Sequence, residues 1–267
     1  VLTLTDALAL QGDAALAKTA AARSPGRYLV SGALAGAYIG LAVILMLTAA
    51  GPLDAAGSEW TPLVQGAVFG IGLVLVVFAG GELGTSAMMI LAQGVMLRRV
   101  RPGRAAGTLA LGLGGNLLGA LLLAFVVHGA GTTAPGTSAG EMLAHYVAKK
   151  SAATGSELFF RAVLCNVLVC VAVWAASRMT TEIGKIVVLA WCLFAFVTAG
   201  FEHVVANMTT FALGLLHGVP DATVAEALRN LLVVGAGNLV GGAVVVGAAY
   251  VVIAGRRTEG ATTVGTR

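Results

Sequence analysis

Two short stretches of this chain carry groups that can do chemistry. In VTAGFEHVVANMTT, Val197 to Thr210, a carboxylate and an imidazole stand side by side as Glu202 and His203, with Asn207 following, inside an otherwise apolar run. In GGELGTS, Gly80 to Ser86, Glu82 and Thr85 sit among glycines in a second apolar run. Ionisable groups at membrane depth are costly and are a functional-site hypothesis by default. The ordinary imidazole pKa of about 6.5 lies close to physiological pH, so His203 is suited to give a hydrogen bond or a proton to an anion that has shed its water. Glu82 and Glu202 are expected to act as scaffold, accepting hydrogen bonds from loosened backbone N–H groups, ahead of touching substrate. Thr85 and Ser86 are expected to cap a restarting helix and offer a hydroxyl.

These groups must be held by helices too long to be continuous spans. Ile186 to Leu216 would run roughly 46 Å as one helix and Pro62 to Leu97 roughly 54 Å, against a hydrocarbon core of roughly 30 Å. A break is expected in each, at Gly81, Glu82 and Gly84 in one and at Gly200 in the other. Broken helices survive in a bilayer only where protein or a cavity surrounds the loosened backbone. After each break a half-helix restarts with unpaired N–H groups and partial positive charge. Two restarts facing each other make an electropositive centre without a fixed charge, which suits a small anion.

Composition sets the class. The 267 residues are 58% hydrophobic and 10% charged, with 37 glycines and a mean hydropathy of +0.93. That is a polytopic, all-α membrane protein. Spans are expected at Tyr28–Ala50, ended by Gly51, Pro52 and Asp54, at Ala105–His128, Glu157–Ser177 and Asn230–Ala254, plus the two broken stretches. Six transmembrane helices result. Residues 1–27 read as a helix on the membrane surface or a partly ordered cytoplasmic leader, 28–254 as the channel domain and 255–267 as a cytoplasmic tail. Leu143 to Lys150 is expected to form a short helix in the long polar loop. No cleavable leader is recognisable, and a chain that opens at Val1 is expected to lack its natural start.

With the N-terminus inside, twelve of the 16 Lys and Arg residues fall on the inner side, from Lys18 through the Arg98–Arg104 loop to Arg256, Arg257 and Arg267. Only Lys149, Lys150, Arg161 and Arg229 lie outside or in the membrane, so both termini are expected to be cytoplasmic. Ala79-Gly80-Gly81-Glu82 answers Ala199-Gly200-Phe201-Glu202, and Gly115-Asn116-Leu117-Leu118-Gly119 answers Gly237-Asn238-Leu239-Val240-Gly241. Each half, about 28–128 and 157–254, then has three spans with the broken one in the middle. An odd number of spans per half inverts the second half in the bilayer. Asn116 and Asn238 are expected to bridge helices, Asn207 to brace its break, and Asn166 to face a pathway or a neighbour. Arg161 is expected to snorkel. Cys165, Cys170 and Cys192 read as packing residues, and His128, His145 and His217 as solvated groups at span ends.

GFEHVVANM (Gly200–Met208) resembles the signature of the formate/nitrite transporter family. GELGTSAMM (Gly81–Met89), LFFRAVLCNVLVCVAVW (Leu158–Trp174) and NLLVVGAGNLVGGA (Asn230–Ala243) extend the resemblance over most of the chain, with the third stretch nearer the nitrite branch. The resemblance implies an aquaporin-like protomer in a homopentamer of the bacterial cytoplasmic (inner) membrane, one pore per subunit, passing nitrite, formate and similar anions. It implies His203 as the central pore histidine and Thr85 as the threonine facing it. Phe69 and Phe196 correspond to an outer constriction, and Leu73 and Leu83 to an inner one. Glu202, Asn207 and Asn166 correspond to polar residues about the site, and Lys150 by position to a basic vestibule residue. Two departures stand out: Gly84 where relatives commonly carry an aromatic, and Val167 where nitrite relatives often carry Trp.

The chain has no phosphate loop, metal-ligand cluster or nucleotide-binding module, so no cofactor and no nucleic-acid partner are expected. Two rival classes remain. An intramembrane enzyme would use Glu202 and His203 as an acid–base pair and needs a nucleophile, for which Thr85 and Ser86 are the nearby candidates. A neutral-solute pore would need paired Asn-Pro-Ala motifs, which are absent.

Overall fold

The computed structural model describes residues 1–254. The expected 255–267 tail, with Arg256, Arg257 and Arg267, lies outside the described residues. The described residues form ten helices and no strand. They are α1 (Leu4–Ala21), α2 (Pro25–Ala55), α3 (Thr61–Gly80), α4 (Gly84–Met96), α5 (Pro102–Ala130), α6 (Ser138–Ala152), α7 (Gly155–Arg178), α8 (Glu182–Thr198), α9 (Val204–Leu216) and α10 (Val224–Ala254). Five of them, α2, α3, α5, α7 and α10, are long and apolar enough to cross a membrane. The shorter α8 is the broken counterpart of α3, and α4 and α9 are short apolar half-helices.

The second five helices repeat the first five upside down. α2 starts beside α1 and ends against α6, where Asp54 meets His145 at 2.7 Å. α7 starts beside α6 and ends against α1, where the Leu2 N–H donates to the Arg178 carbonyl at 2.9 Å. The two ends of the described chain share one face, because the Thr5 hydroxyl donates to the Ala254 carbonyl at 3.2 Å. An even number of crossings follows.

Glycine makes the spanning helices pack closely. Gly115 and Gly119 of α5 lie against the Leu29 and Ala33 carbonyls of α2. Gly237 and Gly241 of α10 lie against the Phe159 and Val163 carbonyls of α7 in the same way. A Cβ at Gly36 or Gly119 would overlap neighbouring backbone. Without a hydrophobic driving force between helices in lipid, this close approach supplies the van der Waals contact. The outward faces carry Phe125, Phe160, Trp191, Leu232 and Val252, all strongly exposed on the protomer, as a wall set against lipid or a neighbouring subunit requires.

Three expectations about elements are corrected. α2 does not stop at Gly51; it continues through Pro52 to Ala55. Pro so near a C-terminus forfeits one helical hydrogen bond and leaves the following turn intact. α1 is an ordered helix and not a loose leader. It buries Ala7, Leu8, Gln11, Gly12, Ala15 and Thr19 in a core shared with Met89, Ile90, Cys170 and Trp174. It therefore covers one end of the bundle. Gly84 is the first residue of α4, leaving Gly81 to Leu83 as the non-helical link.

Candidate functional site

The two breaks are built alike, and two asparagines build them. At the first, the Asn116 Oδ1 accepts from the Gly84 N–H at 2.8 Å, and its Nδ2 donates to the carbonyls of Gly32 and Glu82 at 2.9 and 2.8 Å. At the second, the Asn238 Oδ1 accepts from the Val204 N–H at 2.9 Å, and its Nδ2 donates to Ala162 and Glu202 carbonyls at 2.7 and 2.9 Å. The Glu82 and Glu202 N–H groups donate to the Ser31 and Arg161 carbonyls of the adjoining span. A carboxamide has both an acceptor and donors, so one side chain satisfies an amide and two carbonyls at once. Backbone opened inside a bilayer thus keeps its partners. Left-handed Gly80 (φ 87°) and Gly200 (φ 71°) turn the chain out of α3 and α8, a conformation that favours glycine.

The carboxylates do something other than expected. Among the described residues, neither accepts a backbone N–H. Glu202 takes the Lys150 ammonium at 2.7 Å and the Asn207 Nδ2 at 2.7 Å. Glu82 takes the Lys18 ammonium and the Tyr28 hydroxyl, the latter at 3.2 Å. A buried charge needs a counter-charge more than it needs an amide dipole. α1 and α6 are what supply it, one lysine each, so the flanking helices belong to the repeat. Lys18 was missed as a site residue. Its only sequence signal is that it precedes Glu82 in the first half as Lys150 precedes Glu202 in the second.

The N-termini of α4 and α9 meet at the centre. The Thr85 Oγ1 and His203 Nε2 are 3.0 Å apart, and both residues are buried. His203 is the N-cap of α9, its Nδ1 accepting from the Ala206 N–H at 3.1 Å. That acceptor role commits Nδ1 to a lone pair, so the neutral ring carries its proton on Nε2 and donates to Thr85. The expected capping by Thr85 and Ser86 is corrected. Leu83 is the N-cap of α4 and makes no side-chain bond, the Thr85 hydroxyl faces His203, and the Ser86 hydroxyl donates back to the Leu83 carbonyl at 3.1 Å. The same tautomer disqualifies His203 as a general base for Thr85, because Nε2 has no free lone pair.

Asn166 knits the halves together. Its Nδ2 donates to the Thr85 carbonyl at 3.1 Å and to the Asn238 carbonyl at 2.7 Å, while its Oδ1 has no partner among the described residues. Asn207 reaches both Glu202 and the Asn230 Oδ1, the latter at 2.7 Å; Asn230 was not among the expected site residues. Arg161 stays half-exposed beside Glu157 at 3.5 Å.

From the α6 face a cavity leads inward to His203. Phe69, Tyr146, Lys150, Phe196, Glu202 and Asn207 line it. Phe69 and Phe196 meet edge to face with centroids 5.7 Å apart, and Phe196 stacks on His203 at 5.9 Å. The Lys150 ammonium lies 5.5 Å over the Tyr146 ring. Burial pushes the Tyr146 phenol up, with Glu202 and Asp54 adding to the shift, so it stays a neutral donor. Thr85, Leu73, Leu83 and Asn166 do not line this cavity. Leu73 and Leu83 are wholly buried in the core. Leu113 crowds the space beside Gly84 that a side chain there would enter. Among the described residues no group of three or more His, Cys, Asp and Glu could hold a metal ion.

Comparison with known proteins agrees with this architecture. The chain is 41% identical over 232 residues to the nitrite transporter NirC of Escherichia coli (strain K12), covering 86% of this chain and 84% of that one. A solved FNT family ion channel superposes with a TM-score of 0.87 at 37% identity, over 93% of this chain and 99% of that one. A pentameric formate channel with formate bound superposes with a TM-score of 0.75 at 26% identity, over 87% and 98%. These relatives are transporters and channels, not enzymes. A family model for the formate/nitrite transporters matches residues 8–252, and the chain belongs to that family.

Proposed function

We propose that this chain is a nitrite channel, one pore in each protomer of a homopentamer in a bacterial cytoplasmic membrane, with the α1 face cytoplasmic. The observation that carries the reading is the meeting of two half-helix N-termini on a Thr85–His203 hydrogen bond at 3.0 Å. The aligned dipoles of the two half-helices offer a dehydrated anion partial positive charge at their N-terminal ends. The relative at 41% identity is a nitrite transporter, which favours nitrite over formate. The basic residues of the α1 face, Arg98, Arg99, Arg101 and Arg104 among them, favour a cytoplasmic α1 face.

The anion enters from the α6 face. The Lys150 ammonium has three N–H donors and gives one to Glu202, leaving donors for a passing anion. Phe69 and Phe196 then strip water, as apolar constrictions do. Past them the anion meets the His203 Nε2–H, the group that otherwise donates to Thr85. A neutral imidazole has no proton to give away without becoming an imidazolate. His203 therefore acts as a hydrogen-bond donor, and the anion crosses as the anion.

Stopped-flow swelling of proteoliposomes in nitrite, formate, lactate and glycerol tests this. Nitrite should enter fastest, formate more slowly, and glycerol at the rate of empty liposomes. His203→Phe removes the donor and should lower nitrite entry at least tenfold. Glycerol entry well above that of empty liposomes sinks the anion pore, and faster formate than nitrite moves the substrate to the formate branch.

A further inference from the structure

α5 and α9 end side by side on the α6 face, and each ends in a histidine. His128 lies in the last turn of α5 and His217 caps the C-terminus of α9. Neither is simply solvated, as sequence position alone implied. Their ring centroids are 4.6 Å apart with planes at 56°, and the two Nδ1 atoms are 3.3 Å apart. The His217 Nε2 lies 3.0 Å from the hydroxyl of Thr133, a residue with no exposed surface. We propose that His128 and His217 form a chelating site for a divalent transition cation of the Zn2+ class on the α6 face, separate from the pore histidine.

Three observations converge on this site. The first is spacing. Two imidazole nitrogens each ~2.0–2.1 Å from a tetrahedral Zn2+ stand about 3.3 Å from one another, the separation found between the two Nδ1 atoms. The second is the support behind the ligand. With Nε2–H of His217 donating to Thr133, its Nδ1 is left as a lone pair, the arrangement in which an outer partner orients a metal-binding histidine. The third is the field. Two helix C-termini meet there, each with partial negative charge, which favours a cation. His128 is exposed and His217 is half-exposed, so a hydrated ion can reach both.

The proton balance is simple. In the empty pair the His128 Nδ1–H donates to the His217 Nδ1. On binding, His128 moves its proton from Nδ1 to Nε2, both rings stay neutral, and both Nδ1 lone pairs face the ion. Water fills the remaining positions. Borderline-soft nitrogen ligands select this class of ion over Mg2+ and Ca2+.

The test is isothermal titration of the purified, metal-depleted oligomer, freed of any polyhistidine tag, with zinc chloride and with magnesium chloride. One Zn2+ per protomer should bind, and Mg2+ should give no heat. His128→Gln and His217→Gln should each weaken Zn2+ binding tenfold or more, and the double variant should abolish it. Thr133→Val should weaken it less, with both imidazoles kept. The rival surface site is His145, beside Asp54. Retention of Zn2+ by the double variant, equal binding of Mg2+, or loss of binding in His145→Gln instead overturns the proposal. Nitrite entry in the double variant without Zn2+ should match the unaltered protein, which reports that the variant is folded.

Discussion

Removing one carboxamide tests how the breaks are held open. Asn238→Ala takes away three buried partners at once: the acceptor for the Val204 N–H and the donors to the Ala162 and Glu202 carbonyls. In a soluble core each orphaned polar group costs roughly 1–3 kcal/mol. In membrane bundles a hydrogen bond averages nearer ~0.6 kcal/mol, because the loosened state finds other partners. Here water is remote and the groups belong to non-helical backbone, which leaves few substitutes. About 1 kcal/mol for each group, ~3 kcal/mol in all, is a factor of roughly 100 in the population of the ordered break. The assay has two arms, nitrite entry in proteoliposomes and loss of monodisperse oligomer on heating in detergent. Entry should fall at least tenfold, and the loss should come at a lower temperature. Asn238→Asp keeps the acceptor but sets a carboxylate oxygen against two carbonyls, so it should be no better. Asn116→Ala removes the equivalent three partners and should cost as much. Leu232→Ala, at 72% exposure on the protomer surface, touches neither break and should leave nitrite entry unchanged. If both asparagine variants keep entry and heat resistance within twofold of the unaltered protein, the reasoning fails.

Two further outcomes are expected. Lys150→Met strands the Glu202 carboxylate, only 7% exposed, and should cost about 3–5 kcal/mol, the usual loss on breaking a buried pair. The double variant Lys150→Met with Glu202→Gln should recover heat resistance but not nitrite entry; recovery of both would make the pair purely structural. Gly36→Leu forces a side chain into the Asn116 backbone and should lose roughly 1–3 kcal/mol or more by overpacking, read as a fall in recoverable oligomer. Gly26→Ala, with open space around it, should express normally, and equal yields from the two variants would contradict the close packing of α2 on α5.

The sequence by itself determined the class, the number of halves and the two breaks. Those features rest on local quantities: apolar length against bilayer thickness, glycine beside a carboxylate in a run that cannot be one helix, and an echo of the same residues about 120 positions on. It also picked out His203 and Thr85, because a titratable or hydroxyl group at a break in a bilayer has few reasons to be there. Only the tertiary structure decided the partners. Nothing in the chain near Glu82 or Glu202 tells that lysines from α1 and α6 reach them, since Lys18 is 64 residues and Lys150 is 52 residues away. Carboxylates beside open backbone read as amide acceptors, yet that work falls to Asn116 and Asn238. A buried anion seeks a cation, whereas a carboxamide alone can serve an N–H and two carbonyls together. The tautomer of His203 likewise depends on the cap geometry of α9. It is the way the helices fold back upon one another that sets each charge against its opposite and turns one ring nitrogen, not the other, toward the centre.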